Sequence, residues 1–135
     1  MNTKLFNTIV NFHKGPRILK HYSFPLLRSS FAEHHYDTHF SSSPGLLSSV
    51  DDFFLVSGYA KLAVQETTNN LYNVSLLQEI VPNTVLSYMR AILANQLATS
   101  GADWATVFDR YHSGTYTNQW MVMDWALFTP GASPK

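Results

Sequence analysis

The sequence predicts an α+β fold, with antiparallel strands over about 40–68 and 118–125 and helices over about 84–100 and 103–112. Three patterns predict it. From Tyr59 the side chains alternate, with Leu62, Val64, Glu66 and Thr68 on one face and Lys61, Ala63, Gln65 and Thr67 on the other. That is the period of two that a pleated strand imposes. Between Pro82 and His112 the apolar spacing changes to three and four, as on a helix. The chain then returns to a short run, Trp120 to Trp125, apolar on both faces like a central strand.

Taken in order, Met1 to Tyr22 is weakly patterned, although Leu5, Ile9 and Phe12 share one helical face until Gly15-Pro16 interrupts. Ser23 to Phe40 mixes aromatic and polar residues around Ser29-Ser30 and reads as an irregular, polar surface connection. It holds Glu33, His34, His35, Asp37 and His39. His35 and His39 are four apart and on a helix would have zinc-compatible reach, but no general-base glutamate stands between them. The surface-loop reading is preferred; neither a metal nor another cofactor is expected. His13, His21 and His112 are isolated and read as surface or capping residues.

Ser43-Pro44-Gly45 is a turn, because proline presets φ and glycine accepts positive φ. Asp51-Asp52 then makes a polar step into the apolar strand Phe53-Phe54-Leu55-Val56, which Ser57-Gly58 breaks. If the alternating strand that follows holds to its end, Thr68 leaves beside Leu62 and Val64 at the rim of the core. Pro82-Asn83 introduces the first helix, with Thr84 as N-cap and Ser87 where a full capping box has glutamate. Val85, Leu86, Met89, Ile92, Leu93 and Leu97 form its core-filling stripe, while Arg90, Asn95 and Thr99 face elsewhere, and Ser100-Gly101 stops it. The second helix carries Trp104, Val107, Phe108 and Tyr111 on one face, Asp103 near its start, His112 near its end and Ser113-Gly114 as its stop. So short a link should pack the two as one layer on the sheet, with Trp104 as anchor.

Composition narrows function. Across 135 residues, 45% hydrophobic and 13% charged content supports a buried core and argues against disorder. Nine basic and nine acidic residues cancel without any Lys/Arg cluster, so nothing suggests binding to nucleic acid or an acidic membrane surface. With no cysteine, the chain itself holds no disulfide, thiolate metal site or thiol nucleophile. The N-terminus has no secretory h-region, and no segment is long and apolar enough to span a bilayer. Asn73-Val74-Ser75 is an N-glycosylation sequon. There is no Gly-x-Ser-x-Gly elbow and no phosphate-cradling loop, and Asp51-Asp52 would point to opposite faces, a poor acid/base pair.

Ser42-Ser43-Pro44-Gly45, Asp51-Asp52-Phe53-Phe54 and Glu66-Thr67-Thr68-Asn69-Asn70, in that order, resemble the phospholipase B-like family; HSGTYTNQWMVMDW, His112 to Trp125, resembles it more closely still. The resemblance covers roughly Arg17 to Pro134, is strongest over 41–134, and makes 1–135 a partial domain of that family. It implies the N-terminal-nucleophile hydrolase fold, an αββα sandwich, with a cysteine nucleophile exposed by self-cleavage. That cysteine would lie before Met1, and Arg17 to Tyr22 would sit on a helix following the nucleophile strand. Phe6 and Ile9 stand where relatives carry His and Trp, Asn7 and Thr8 keep the family character, and Thr117 stands where relatives carry Asn.

The resemblance further implies hydrolysis of acyl ester or amide bonds in glycerophospholipids, with a phospholipid substrate, a secreted or lysosomal setting, and need of the rest of the family fold. Such enzymes use a freed α-amine, pKa ~8, as base, and oxyanion donors each worth on the order of 10²–10³ in rate. Thr68 falls on a pocket-lining threonine of the family and is assigned to substrate or oxyanion positioning, with Asn69 its neighbour. Without a nucleophile these groups bind or orient an ester but do not cleave it. The alternative is a catalytically inactive remnant acting as a binding or interaction module.

Overall fold

The computed structural model describes residues 16–25, 35–49 and 51–132. The apolar face of Leu5, Ile9 and Phe12, the Phe6–Ile9 stretch, and Glu33 and His34 lie outside the described residues.

Five antiparallel strands form one sheet in sequence order: β1 (Ile18–Pro25), β2 (His35–Ser42), β3 (Phe53–Ser57), β4 (Lys61–Thr67) and β5 (Gln119–Asp124). Between β4 and β5 come a 3-10 helix (Val74–Glu79) and two α-helices, α1 (Ser87–Leu97) and α2 (Gly101–Asp109). The architecture is α+β, as expected. Ser43 to Gly45 makes the expected turn, with Gly45 at φ 81° and the Leu46 N–H donating to the Ser43 carbonyl at 3.3 Å. The alternation from Tyr59 also holds. Leu62 and Val64 are fully buried on the helix side, where Phe40, Phe54, Val56, Ala94, Ala98 and Trp104 join them in one core. Trp104 stacks on Phe108 with ring centroids 4.7 Å apart, and Trp120 of β5 packs on both at 5.6 and 4.9 Å. On the opposite face Leu55, Met121 and Met123 stay 40–53% exposed.

Several expectations need correction. The helix expected for Arg17 to Tyr22 is strand β1, paired with β2 along its length. Tyr22 meets Phe24 and Phe40 edge-on at 5.7 and 5.1 Å, and alternating aromatics on facing strands stabilise pairing more than a lone helical turn would. The irregular connection expected up to Phe40 is likewise strand from His35, with Tyr36, Thr38 and Phe40 buried on one side. His35 and His39 therefore do not share a helical turn. His39 stacks on His21 at 4.2 Å, and His21 Nε2 lies 3.3 Å from Asp37 Oδ1.

α1 starts at Ser87, and its N-cap is Leu86 rather than Thr84. The backbone around Val85 is held elsewhere: its N–H donates to the Tyr111 carbonyl at 2.9 Å, and Thr84 Oγ1 donates to Val81 O at 3.3 Å. Of the expected stripe, Val85, Ile92 and Leu97 are half-buried, and the core face is made by other residues. Ala91, Ala94, Arg90 and Asn95 are buried, while Leu86, Met89 and Leu93 are exposed. Trp104, the largest fully buried side chain, occupies the shared core, so α1 approaches through its small residues. Both buried polar residues are partly bonded: Asn95 Oδ1 accepts from Trp104 Nε1–H at 2.7 Å, and Arg90 Nε donates to Val85 O at 3.0 Å with its guanidinium 4.4 Å from the Phe108 ring centroid, while Asn95 Nδ2 and Arg90 Nη2 are buried without a partner among the described residues.

Ser100-Gly101 opens α2 instead of stopping α1, which closes at Ala98. Ser100 Oγ accepts from Asp103 N–H at 3.1 Å, satisfying a first-turn donor. α2 ends at Asp109, so Tyr111, at φ 55° and exposed, falls outside the expected stripe, and His112 lies beyond the helix. β5 is the last strand of the sheet among the described residues, not a central one, and Trp125 belongs to the 3-10 turn after it.

Candidate functional site

The site is the end of the sheet where β4 finishes and β3 and β5 begin. Gln65 pairs with Phe53, and Thr67 pairs with Gln119. A serine-rich loop leads into β3. Ser42 Oγ donates to Ser48 O at 2.7 Å, and Ser49 Oγ accepts from the N–H groups of Asp51 and Phe53 at 3.2 and 3.0 Å. Arg17 reaches over this loop, with Nε 3.0 Å from Asp51 and Nη1 donating to Ser43 Oγ at 3.0 Å. These bonds turn Asp51 outward and Asp52 inward, where it is buried at φ 48°.

Across the strand end, Tyr116, also left-handed at φ 55°, donates its hydroxyl hydrogen to Asp52 Oδ2 at 2.7 Å. Left-handed backbone costs a non-glycine residue on the order of 1–2 kcal/mol. The surrounding bonds hold both residues there. Asn118 Oδ1 accepts from Asn69 N–H at 3.2 Å.

Thr68 stands one residue past the end of β4 and is exposed, as is Asn69. Neither lines the cleft of about 530 Å³ between α2 and β5, whose walls include Trp104, Phe108, Asp109, His112, Asn118 and Trp120. Asn118 is thus the residue common to that cleft and to the Thr68-Asn69 segment. Glu66 and Trp120 are directly paired, and Glu66 Oε1 and Trp120 Nε1 are both buried without a partner among the described residues.

Burial raises the pKa of Asp52; the Tyr116 bond pulls it back and Asp51 pushes it further up. Glu66 is raised by burial and then by the charge of Asp52, with Asn118 opposing. Tyr116 is raised strongly, first by burial and then by its bond to Asp52, so its hydroxyl stays a donor. Chemically, this end offers hydrogen-bond donors and carboxyls whose burial works against ionisation. The chain supplies no thiol. Asn73 is exposed and caps the 3-10 helix, accepting from Ser75 N–H at 3.2 Å and Ser75 Oγ at 2.6 Å.

A model of the family described as Phospholipase B matches residues 5–134. The chain belongs to the phospholipase B family. It is 48% identical over 115 residues to phospholipase B-like protein G of Dictyostelium discoideum, covering 84% of this chain and 19% of that protein. It is 52% identical over 91 residues to protein D of the same organism, covering 67% of this chain and 16% of the relative. It is 43% identical over 108 residues to human phospholipase B-like 1, covering 80% and 19%. The chain therefore spans about a fifth or less of the length of these curated relatives.

Within this phospholipase B family chain, two of the stretches that carry the family resemblance meet in space. Glu66 to Asn70 and Tyr116 to Trp120 face each other across β4 and β5 and are tied by Asn69 and Asn118. Sequence reasoning singled out Thr68 and Asn69 but passed over Asp52, Glu66, Tyr116 and Asn118. A signal was present: Asp52 and Tyr116 both lie in family-like stretches, and Asn118 is one of the polar residues bunched before β5. Asn118 both lines the cleft and bonds backbone, at Asn69.

Proposed function

We propose that the chain is part of a phospholipase B-like hydrolase of acyl ester or amide bonds in glycerophospholipids, and that it supplies the strand-end segment that positions the reacting carbonyl. The nucleophile in this reading is a cysteine from another part of the family fold, since these 135 residues contain none. The observation that carries it is the Asn69–Asn118 bond, which brings the Glu-Thr-Thr-Asn and Asn-Gln-Trp stretches to one strand end. Thr68, exposed beside that bond, is the candidate for substrate or oxyanion positioning, with Asn69 its neighbour. A donor preset at the oxyanion stabilises the tetrahedral intermediate by far more than it stabilises the ground state.

The intact protein in this reading is an αββα N-terminal-nucleophile sandwich, secreted or lysosomal, with Asn73 a glycosylation site. The apolar face carrying Leu55, Met121 and Met123 supports a second sheet layer. To test the function, the matching segment of Dictyostelium protein G is replaced by residues 5–134, and fatty-acid release from dispersed phospholipid is measured beside the 135-residue chain alone. Release by the folded chimera, with none by the chain alone, is expected. A folded but inert chimera, in which the parental protein is active, would overturn the reading, as would turnover by the isolated chain.

A further inference from the structure

We propose that the bond from the Tyr116 hydroxyl to Asp52 is a positioning contact, which sets where Asn118 stands and, through it, where Thr68 and Asn69 meet the reacting carbonyl. It rests on the hydrolase function proposed for the chain and assigns two further residues to that strand end. The bond is 2.7 Å long and joins separate parts of the sequence, Asp52 before β3 and Tyr116 before β5. Asn118 follows Tyr116 by two residues, and its Oδ1 accepts from Asn69 N–H at 3.2 Å. On the other side of Thr68, Thr67 pairs with Gln119 in the β4–β5 ladder. Thr68 is therefore bracketed by two contacts, both made to the stretch that Tyr116 anchors.

The backbone gives the reason to assign this pair a role. Asp52 and Tyr116 lie at φ 48° and 55°, where glycine is at ease and other residues are strained. Such strain persists where the surroundings over-determine it, and it gathers at functional positions. Each loop is fixed by its own bonds. Ser49 Oγ accepts the N–H groups on either side of Asp52, those of Asp51 and Phe53, at 3.2 and 3.0 Å. Before Tyr116, the buried Ser113 donates to the Thr115 carbonyl at 3.0 Å, and His112 Nδ1 accepts from Gly114 N–H at 3.0 Å. Two separately built loops thus meet through side chains that glycine would lack.

Asp52 is buried, so it acts through Tyr116 and not on a lipid directly. A donor that is to meet a developing oxyanion must already be in place when the reaction starts. Misplacing it by about 1 Å can cost on the order of 10² in rate. A contact away from the carbonyl thereby reaches the chemical step through geometry alone.

The test uses the protein G chimera for kinetics and the 135-residue chain for amide exchange at Asn69, measured against the amides of β4. Tyr116→Phe removes the donated hydrogen and keeps the ring. Asp52→Gly removes the acceptor but suits the left-handed backbone, so the fold is spared. Asp52→Asn keeps an acceptor oxygen and tolerates the same backbone. Tyr116→Phe and Asp52→Gly are expected to lower kcat for fatty-acid release by up to about 10²-fold, with KM little changed, and to speed Asn69 exchange relative to β4. Asp52→Asn should stay close to the parent in both. Parental kcat in folded Tyr116→Phe and Asp52→Gly would overturn the proposal, as would Asn69 exchange that neither alters. So would an Asp52→Asn variant as impaired as Asp52→Gly. An inert parent chimera would overturn the hydrolase function itself, and Asn69 exchange would then decide whether the contact holds the segment. Should one variant not fold, the other decides.

Discussion

The backbone N–H of Asn69 donates to the side-chain carbonyl of Asn118 at 3.2 Å, across 49 positions of sequence. The bond fixes where the chain goes after β4, because Thr68 and Asn69 have already left the ladder. Asn118→Ala removes the acceptor and should cost roughly 0.5–1.5 kcal/mol, the net worth of one such bond. Urea unfolding reads the loss, and amide exchange should show Asn69 among the backbone positions most affected. Unchanged exchange at Asn69 would mean that the segment is held by other contacts.

A larger effect is expected at Asn95. It is buried in α1 and accepts from the indole of Trp104 at 2.7 Å. Asn95→Leu leaves that N–H buried and unbonded, which costs about 1–3 kcal/mol. Trp104→Ala removes the aromatic centre of the helix layer and should cost about 3–5 kcal/mol. Denaturant midpoints with a common slope would measure both. A neutral Asn95→Leu would show that the indole finds another acceptor.

The short link between the helices can be tested at Gly101. Its N–H donates to Asp124 Oδ2 at 2.8 Å, and a Cβ built on it would sit 3.3 Å from Asp124 Cβ. Gly101→Ala pushes on that carboxylate, whereas Asp124→Ala removes it from the start of α2, at a cost of about 0.5–2 kcal/mol. The double variant should be less damaged than the sum of the two, because the clash and the bond share one partner. Additivity would argue that the two positions act separately.

These residues show how far the sequence could be read. β4 was legible because its two faces differ, and the turn at Ser43 to Gly45 because proline and glycine specify backbone angles locally. The layer made by α1 was legible only as a helix. Its large apolar side chains were assigned to the core, but the space beside Trp104 admits alanines and the bonded Arg90 and Asn95 instead. β1 and β2 were missed because their aromatic alternation gains meaning only from the partner strand. The bond between Asp52 and Tyr116 spans 64 positions and depends on two left-handed residues, neither of which is glycine. No local pattern encodes such a pairing.

The open sheet face makes a prediction about behaviour in solution. Leu55, Met121 and Met123 present adjoining apolar surface at 40–53% exposure, and large exposed apolar patches drive association. The isolated chain should associate with rising concentration in sedimentation velocity. Met123→Lys should reduce that association while shifting stability by no more than about 0.5 kcal/mol, as for other surface substitutions. Association that Met123→Lys leaves untouched would place the sticky surface elsewhere, with the exposed Leu86, Met89 and Leu93 of α1 next to test.

The role given to Thr68 is decided most directly by the split between kcat and KM in the protein G chimera. A group that meets charge developing in the transition state affects the chemical step more than substrate binding. Thr68→Ala should lower kcat for fatty-acid release on the order of 10²–10³ with KM little changed. A folded Thr68→Ala chimera that keeps the parental kcat would contradict the assignment of this strand end to the reacting carbonyl.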